Sequence, residues 1–324
     1  MTISRRLFLG GTVAGLAPRA LAQAKRLIPQ RVSARVIVDN DLAGDPDGLV
    51  ALAHQLLAPT TRTVLITTSA LDAELTAAAN GPAGRTAAAG REKALELLRL
   101  MALPSAPPVI AGAETFGIGP AQVSDAAKAI VSEAMGDDPL PLYFTCGGPL
   151  TNLAAALRLE PAIARRMTVI WIGGVGSPAG GKEYNLATDA AAAQQVIEQS
   201  SVPFWQVPGE AYREMQISVA ELNAVLRPIS PLSQWLYDQY VNLPPFVNVG
   251  GTLTFGDSPL VLLTAISGAS GRYSERTARQ LEADFRYGDP IKGRRIRVYE
   301  KLDVRLTLAD FVALLRLRAP STGS

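Results

Sequence analysis

The sequence predicts an α/β fold: a mostly parallel central sheet with helices on both faces. Three observations carry this. Short apolar, β-branched runs alternate with helical stretches over most of the chain, and repeated strand–helix–strand units build parallel sheets. Of the 324 residues, 48% are hydrophobic and only 19% charged, enough to bury a large core. No linker-like stretch divides the chain, so residues 23–324 are expected to form a single domain.

Taken in order, residues 35–38 (Arg-Val-Ile-Val) read as a buried strand, followed by a helix over 49–57 with Leu49, Leu52, Ala53 and Leu56 on one face. A strand over 63–68 precedes a long Ala- and Leu-rich helix over 85–101. Strands are expected at 108–111 and 140–145, with a helix over 123–135 between them. Residues 167–172 form another continuous apolar strand, then a helix spans 189–198 and a strand 202–207. Beyond Pro208 the pattern is more helical, over 219–226, 231–240 and 259–266. A strand pair at 296–299 and 304–306 and a helix over 308–317 close the chain.

The first 22 residues follow a different logic. Arg5-Arg6 within Ser4–Leu9 is a twin-arginine signature, residues 10–17 are mildly apolar, and Ala20-Leu21-Ala22 offers the small-x-small pattern that a signal peptidase cuts. A twin-arginine signal peptide over 1–22 is therefore expected, with a periplasmic or secreted destination. Its removal deletes Arg5, Arg6 and Arg19 and no acid, so the formal charge moves from +2 to −1. Neither value points to nucleic acid or an acidic membrane as partner. No stretch beyond the signal approaches the roughly 18 apolar residues of a membrane span. Cys146 is the single cysteine, so the chain cannot form an internal disulfide and its core must hold the fold.

The segment after the first strand concentrates the chemistry. Asp39, Asp41, Asp45 and Asp47 fall within nine residues, between a buried strand and a helix. If the strand persisted, Asp39 and Asp41 would share one side of it. Acids so crowded repel one another unless a cation or hydrogen-bond donors offset the charge, and hard cations such as Ca²⁺ or Mg²⁺ take such oxygens. A polar turn with Asp47 opening a helix would use the same residues structurally. Ligands of parallel sheets bind beyond the carboxyl ends of the strands, where this segment lies.

Four motifs in order now resemble the nucleoside hydrolases: Asp39-Asn40-Asp41 with Asp45-Pro46-Asp47, Gly147–Ala154 containing Leu150-Thr151-Asn152, Glu183-Tyr184-Asn185, and Gly256-Asp257-Ser258-Pro259. The resemblance, to an inosine/uridine-preferring type of hydrolase, covers nearly the whole mature chain. It implies a Rossmann-like fold, salvage of purine or pyrimidine nucleosides, and metal-dependent hydrolysis of the bond between ribose and base. By the same resemblance, Asp41 would be a metal ligand and the base that takes a proton from metal-bound water. Asp257 would be a second ligand, and a backbone carbonyl near Gly147, or that of Cys146, a third. Asp47, Glu183 and Asn185 would hold ribose hydroxyls, with Asp39 counted in the same substrate-binding group. The expected cofactor is one Ca²⁺ and the expected partner a small-molecule nucleoside or related riboside; whether the protein is a homo-oligomer stays open.

Two positions depart from the family pattern. Gly48 stands where members commonly place a further ligand Asp, and Asp45, in a one-residue insertion, is the candidate replacement. Gly256 stands where many members have a His that protonates the leaving base. His54, the single histidine, is expected to be a packed or partly exposed helix residue rather than an acid, and Cys146 a small buried thiol rather than a nucleophile. Trp235, Tyr237 and Tyr240 fall where the family surrounds the base with aromatics, or belong to the core. Two other readings remain: a haloacid-dehalogenase-type phosphatase using Asp39-Asn40-Asp41, Ile66–Ser69 and Gly256-Asp257-Ser258, and a catalytically weak ribosyl-binding protein on the same fold.

Overall fold

A computed structural model describes residues 28–78, 81–241, 243 and 249–319, and the fold is carried from Arg31 onward. The expected signal peptide lies outside the described residues. Ten strands form: β1 (Ala34–Asn40), β2 (Thr61–Thr68), β3 (Val109–Ala111), β4 (Leu142–Cys146), β5 (Thr168–Ile172), β6 (Phe204–Val207), β7 (Gln216–Ser218), β8 (Thr252–Thr254), β9 (Arg272–Leu281) and β10 (Tyr287–Lys301). Eight make one sheet in the order β3-β2-β1-β4-β5-β6-β10-β9, while β7 and β8 pair separately. Every pairing in the large sheet is parallel except β10 with β9 at the edge.

Alternation along β1 explains the two-sided core. Val36 and Val38 pack on one face with Leu49, Leu52, Ile66 and Leu97. Ile37, between them, packs on the other with Phe144, Leu153, Trp171 and Val196. A parallel sheet buried on both faces needs apolar residues at both phases of the strand, which is why these runs look continuous. The order reverses between β1 and β4, so the connections leave on either side and open a crevice beyond those two strand ends. β1 delivers Asp39-Asn40 to that crevice and β4 delivers Cys146-Gly147, with Asp39 paired to Cys146 in register.

Most expected elements form close to their expected positions. One does not: residues 304–306 are not the partner of β10 but the first turn of a helix, Val304–Arg318. The Asp303 carboxylate accepts from the Leu306 amide at 2.9 Å, a cap that outweighs the β-preference of Val304. The partner of β10 is β9, whose Arg272-Tyr-Ser-Glu-Arg-Thr-Ala-Arg-Gln-Leu281 is too polar to stand out as a strand, because as the sheet's edge it is largely exposed. The Leu150-Thr151-Asn152 motif opens a helix, Thr151–Leu159, that crosses from β4 towards β5. Among the described residues no helix is long and apolar enough to cross a membrane.

Candidate active site

Asp39 sits at the end of β1 with 0% exposure. The Thr67 hydroxyl (2.5 Å) and Asn152 Nδ2 (2.8 Å) donate to its Oδ2. The Ser69 hydroxyl (2.5 Å) donates to Oδ1, with the Cys146 thiol at 3.8 Å. Burial raises its proton affinity, and these donors pull it back. Both oxygens are spent on tying β1 to β2 and to the helix Thr151–Leu159. Asp39, which the sequence placed in the substrate-binding group, thus has both carboxylate oxygens hydrogen-bonded to protein groups. The alternation that would have aligned it with Asp41 stops, because β1 ends at Asn40. The same enclosure argues against the phosphatase alternative, whose nucleophile would have to be Asp39.

Asn40 points the other way. Its Nδ2 donates to Asp257 Oδ2 at 2.7 Å, across 217 residues of chain. Asp257 comes in on the turn before residues Pro259–Val261, a helical turn set by the proline. Three close approaches locate the remaining acids. A Cβ added to Gly147 would lie 2.4 Å from Asp257 Oδ2; one added to Gly148, 3.4 Å from the Asp41 carboxyl carbon; one added to Gly256, 3.0 Å from Asp47 Oδ2. Asp41, Asp47 and Asp257 thus converge where β1 and β4 end, and glycine at 147 and 148 lets them approach the backbone. Asp45 is exposed beside them, and Asp47 is half-buried.

The electrostatics agree. Burial, then the charge of Asp257, raises Asp41 well above the usual carboxylate range. Burial and the charges of Asp257, Asp45 and Asp41 do the same for Asp47. Burial pushes Asp257 up to about 7, against the opposing Asn40 hydrogen bond. No ion pair among the described residues reaches any of them. Hard oxygen donors that repel one another and lack a cationic side chain fit a hard divalent cation. Yet among the described residues no three carboxylate, thiol or imidazole groups close into a metal cage on their own. Such a cation would need backbone or substrate oxygens as well.

Glu183 and Asn185 line the neighbouring loop, with much of their bonding capacity spent on protein. Glu183 Oε2 accepts from the amides of Gly174 (2.7 Å) and Leu186 (3.1 Å), capping the short helix Tyr184–Thr188. Its Oε1 accepts from the Tyr212 hydroxyl at 2.9 Å. Asn185 Nδ2 donates to the carbonyls of Ile172 (2.9 Å) and Gly147 (3.1 Å), which links this loop to the acid cluster. Tyr212 and Asn40 escaped the sequence reading. Asn40 carried a faint signal, lying between two acids at a strand end; Tyr212 carried none.

The other singled-out residues sort cleanly. His54 is fully buried, its Nε2 3.0 Å from Asp310 Oδ2, and its ring packs on Phe311. Cys146 is buried, its thiol directed at the Gly148 carbonyl (3.2 Å), and burial raises its proton affinity far beyond a nucleophile's. Trp235 donates to Glu96 and Tyr237 to Asn223. Tyr240 stacks on Phe255, and the charges of Asp47, Asp45 and Asp257 help raise its proton affinity.

The family model described as inosine-uridine preferring nucleoside hydrolase matches residues 36–250. A search among curated proteins finds no match. Among solved structures, an inosine-guanosine nucleoside hydrolase aligns with TM-score 0.68 at 19% identity, covering 88% of this chain and 99% of that one. The inosine-uridine preferring nucleoside hydrolase from Bacillus anthracis aligns with TM-score 0.65 at 16% identity, over 87% and 99%. A purine-preferring ribonucleoside hydrolase from Gardnerella vaginalis gives 0.63 at 19%, over 88% and 99%. At such identities these likenesses speak for the fold.

Proposed function

We propose, from the premise that this chain belongs to the inosine-uridine preferring nucleoside hydrolase family, that it splits ribonucleosides with water into base and ribose. As a member it is a hydrolase of N-glycosyl compounds; the residue roles that follow are our reading. One observation supports it most: Asp41, Asp47 and Asp257 converge at the reversal of the sheet, their proton affinities raised by burial and by one another.

Asp41 and Asp257 would hold a divalent cation, with the Gly147 carbonyl as backbone donor and Asp45 adding charge at the rim; all-oxygen donors favour Ca²⁺. When bound, such a cation fixes the ribose and makes water a better nucleophile near neutral pH. Asp41 accepts the proton of the attacking water. Asp47, Glu183 and Asn185 orient the ribose hydroxyls, and Tyr212 with the Gly174 and Leu186 amides holds the Glu183 carboxylate in place. Cleavage builds positive charge on the sugar, which this group of carboxylates stabilises. Gly256 supplies no acid to the leaving base, so that charge stabilisation has to do more. Export by the twin-arginine route, read from Arg5-Arg6, is part of the same proposal.

The test is a nucleoside panel with Ca²⁺, read as released reducing sugar. Asp41→Asn is expected to lower kcat/KM by about 10²- to 10⁴-fold for any nucleoside that is turned over. Equal rates in the two proteins would remove Asp41 from the reaction. Binding of ribosides without turnover of any would favour the weak ribosyl-binding alternative, for which the bare Gly256 beside Asp47 speaks.

A further inference from the structure

We propose that the side-chain oxygen of Asn40 is itself a ligand of the divalent cation, seated in a slot that glycine at position 48 leaves open. This rests on reading the acid cluster as a cation site, and it names a donor that the acids do not include.

Asn40 is 1% exposed. Its Nδ2 is committed to Asp257 Oδ2, while its Oδ1 is buried without any hydrogen-bond partner. Among the described residues, the other buried side-chain atoms left without partners are hydroxyls of Thr63, Tyr240 and Tyr299 and a ring nitrogen of His54. Those groups can switch between donor and acceptor; an amide oxygen can only accept. Turning the amide over gives no relief, because it would press Oδ1 against the Asp257 carboxylate. The hydrogen bond from Nδ2 to Asp257 therefore sets the orientation and leaves Oδ1 calling for a donor or a cation.

The surroundings are shaped to this amide. A Cβ at Gly48 would lie 2.7 Å from Asn40 Oδ1 and 2.9 Å from its Cγ. A Cβ at Gly147 would lie 2.3 Å from Asn40 Nδ2. A side chain at either position excludes the Asn40 side chain from this pose. Gly48 follows Asp47 directly and Gly147 lies against Asp257, so the slot is bounded by the acid cluster. The donor is also neutral. Where carboxylates already repel one another, an amide oxygen adds coordination without adding charge, and ligand charge count is how such sites set affinity. Asp45, the replacement expected from the sequence, is the exposed member of the acid segment, whereas Asn40 is buried.

The experiment is calorimetric calcium titration of the chelator-stripped full chain, wild type against Asn40→Ala, Gly48→Ala and Asp45→Asn. It is paired with the luminescence lifetime of bound Tb³⁺, which counts the waters on the ion. Asn40→Ala is expected to weaken calcium binding about 10- to 100-fold and to add one water to Tb³⁺. Gly48→Ala keeps every donor but crowds Oδ1; it is expected to weaken binding in the wild-type background and to change nothing further in Asn40→Ala. It carries the test alone if Asn40→Ala does not fold. Asp45→Asn is expected to stay near wild type. Unchanged affinity in Asn40→Ala, or in Gly48→Ala when it stands alone, overturns the assignment. So does weakened affinity with the same water count, since Asn40 would then only orient Asp257. A larger loss in Asp45→Asn than in Asn40→Ala hands the place to Asp45. A wild type that binds no calcium removes the cation site itself, a failure distinct from the others.

Discussion

Asp39 and Asp41 lie two positions apart, both buried, and their neighbours divide their roles. Asp39 lies under the cleft with four donors around its carboxylate; Asp41 lies beside Gly148, where the other acids gather. Asp39→Ala would strand the Thr67 and Ser69 hydroxyls and the Asn152 amide in the interior, at a cost of about 3 kcal/mol or more. Urea unfolding is expected to show that loss. A variant as stable as wild type that had lost only riboside binding would place Asp39 in the substrate group instead. The acids themselves were legible in the sequence, because a carboxylate run between strand and helix is conspicuous. Their division was not, since it depends on where β1 stops and which way each side chain turns. Asn40 stayed hidden for a simpler reason: a single amide among acids looks like a turn residue until its partner 217 positions away is in view.

At the scale of elements, the helix Asp47–Leu57 that follows the acid segment is clamped from outside by the terminal helix Val304–Arg318, through His54 with Asp310 and Phe311. Burial lowers the His54 proton affinity, and Asp310 only partly opposes it. The folded chain then binds fewer protons there than the unfolded chain, whose histidine titrates near about 6.5. This contribution is complete above that value and is lost as pH falls through the window below it. Thermal midpoints are expected to drop on acidification below about pH 6.5, and His54→Gln should flatten that slope. An identical slope in the variant would assign the acid sensitivity elsewhere. The strands and long helices around this clamp were legible because buried strands are apolar throughout and helices show a one-sided period. The terminal hairpin was not: β9 alternates charged residues along an exposed edge, and the capped start of the last helix carries the β-branched Val304.

At the scale of the whole molecule, function follows from the strand order. The seven parallel strands, in the order β3-β2-β1-β4-β5-β6-β10, reverse direction of travel between β1 and β4, and loops from distant parts of the chain meet there. Asp41 and Asp47 leave β1, Gly147 and Gly148 leave β4, Glu183 and Asn185 follow β5, and Asp257 returns after the small β7–β8 pair. The motifs could be found along the sequence; that they converge is a property of topology, which periodicity does not encode. We propose that this convergence cleaves a nucleoside with water. Incubating the protein with ribonucleosides and Ca²⁺ in ¹⁸O-labelled water, and weighing the products by mass spectrometry, tests it directly. Free base and ribose are expected in equal amounts, with one ¹⁸O at the anomeric carbon of the ribose as first released. Intact nucleosides across the panel, or base released with a sugar product that carries no label from water, would contradict it.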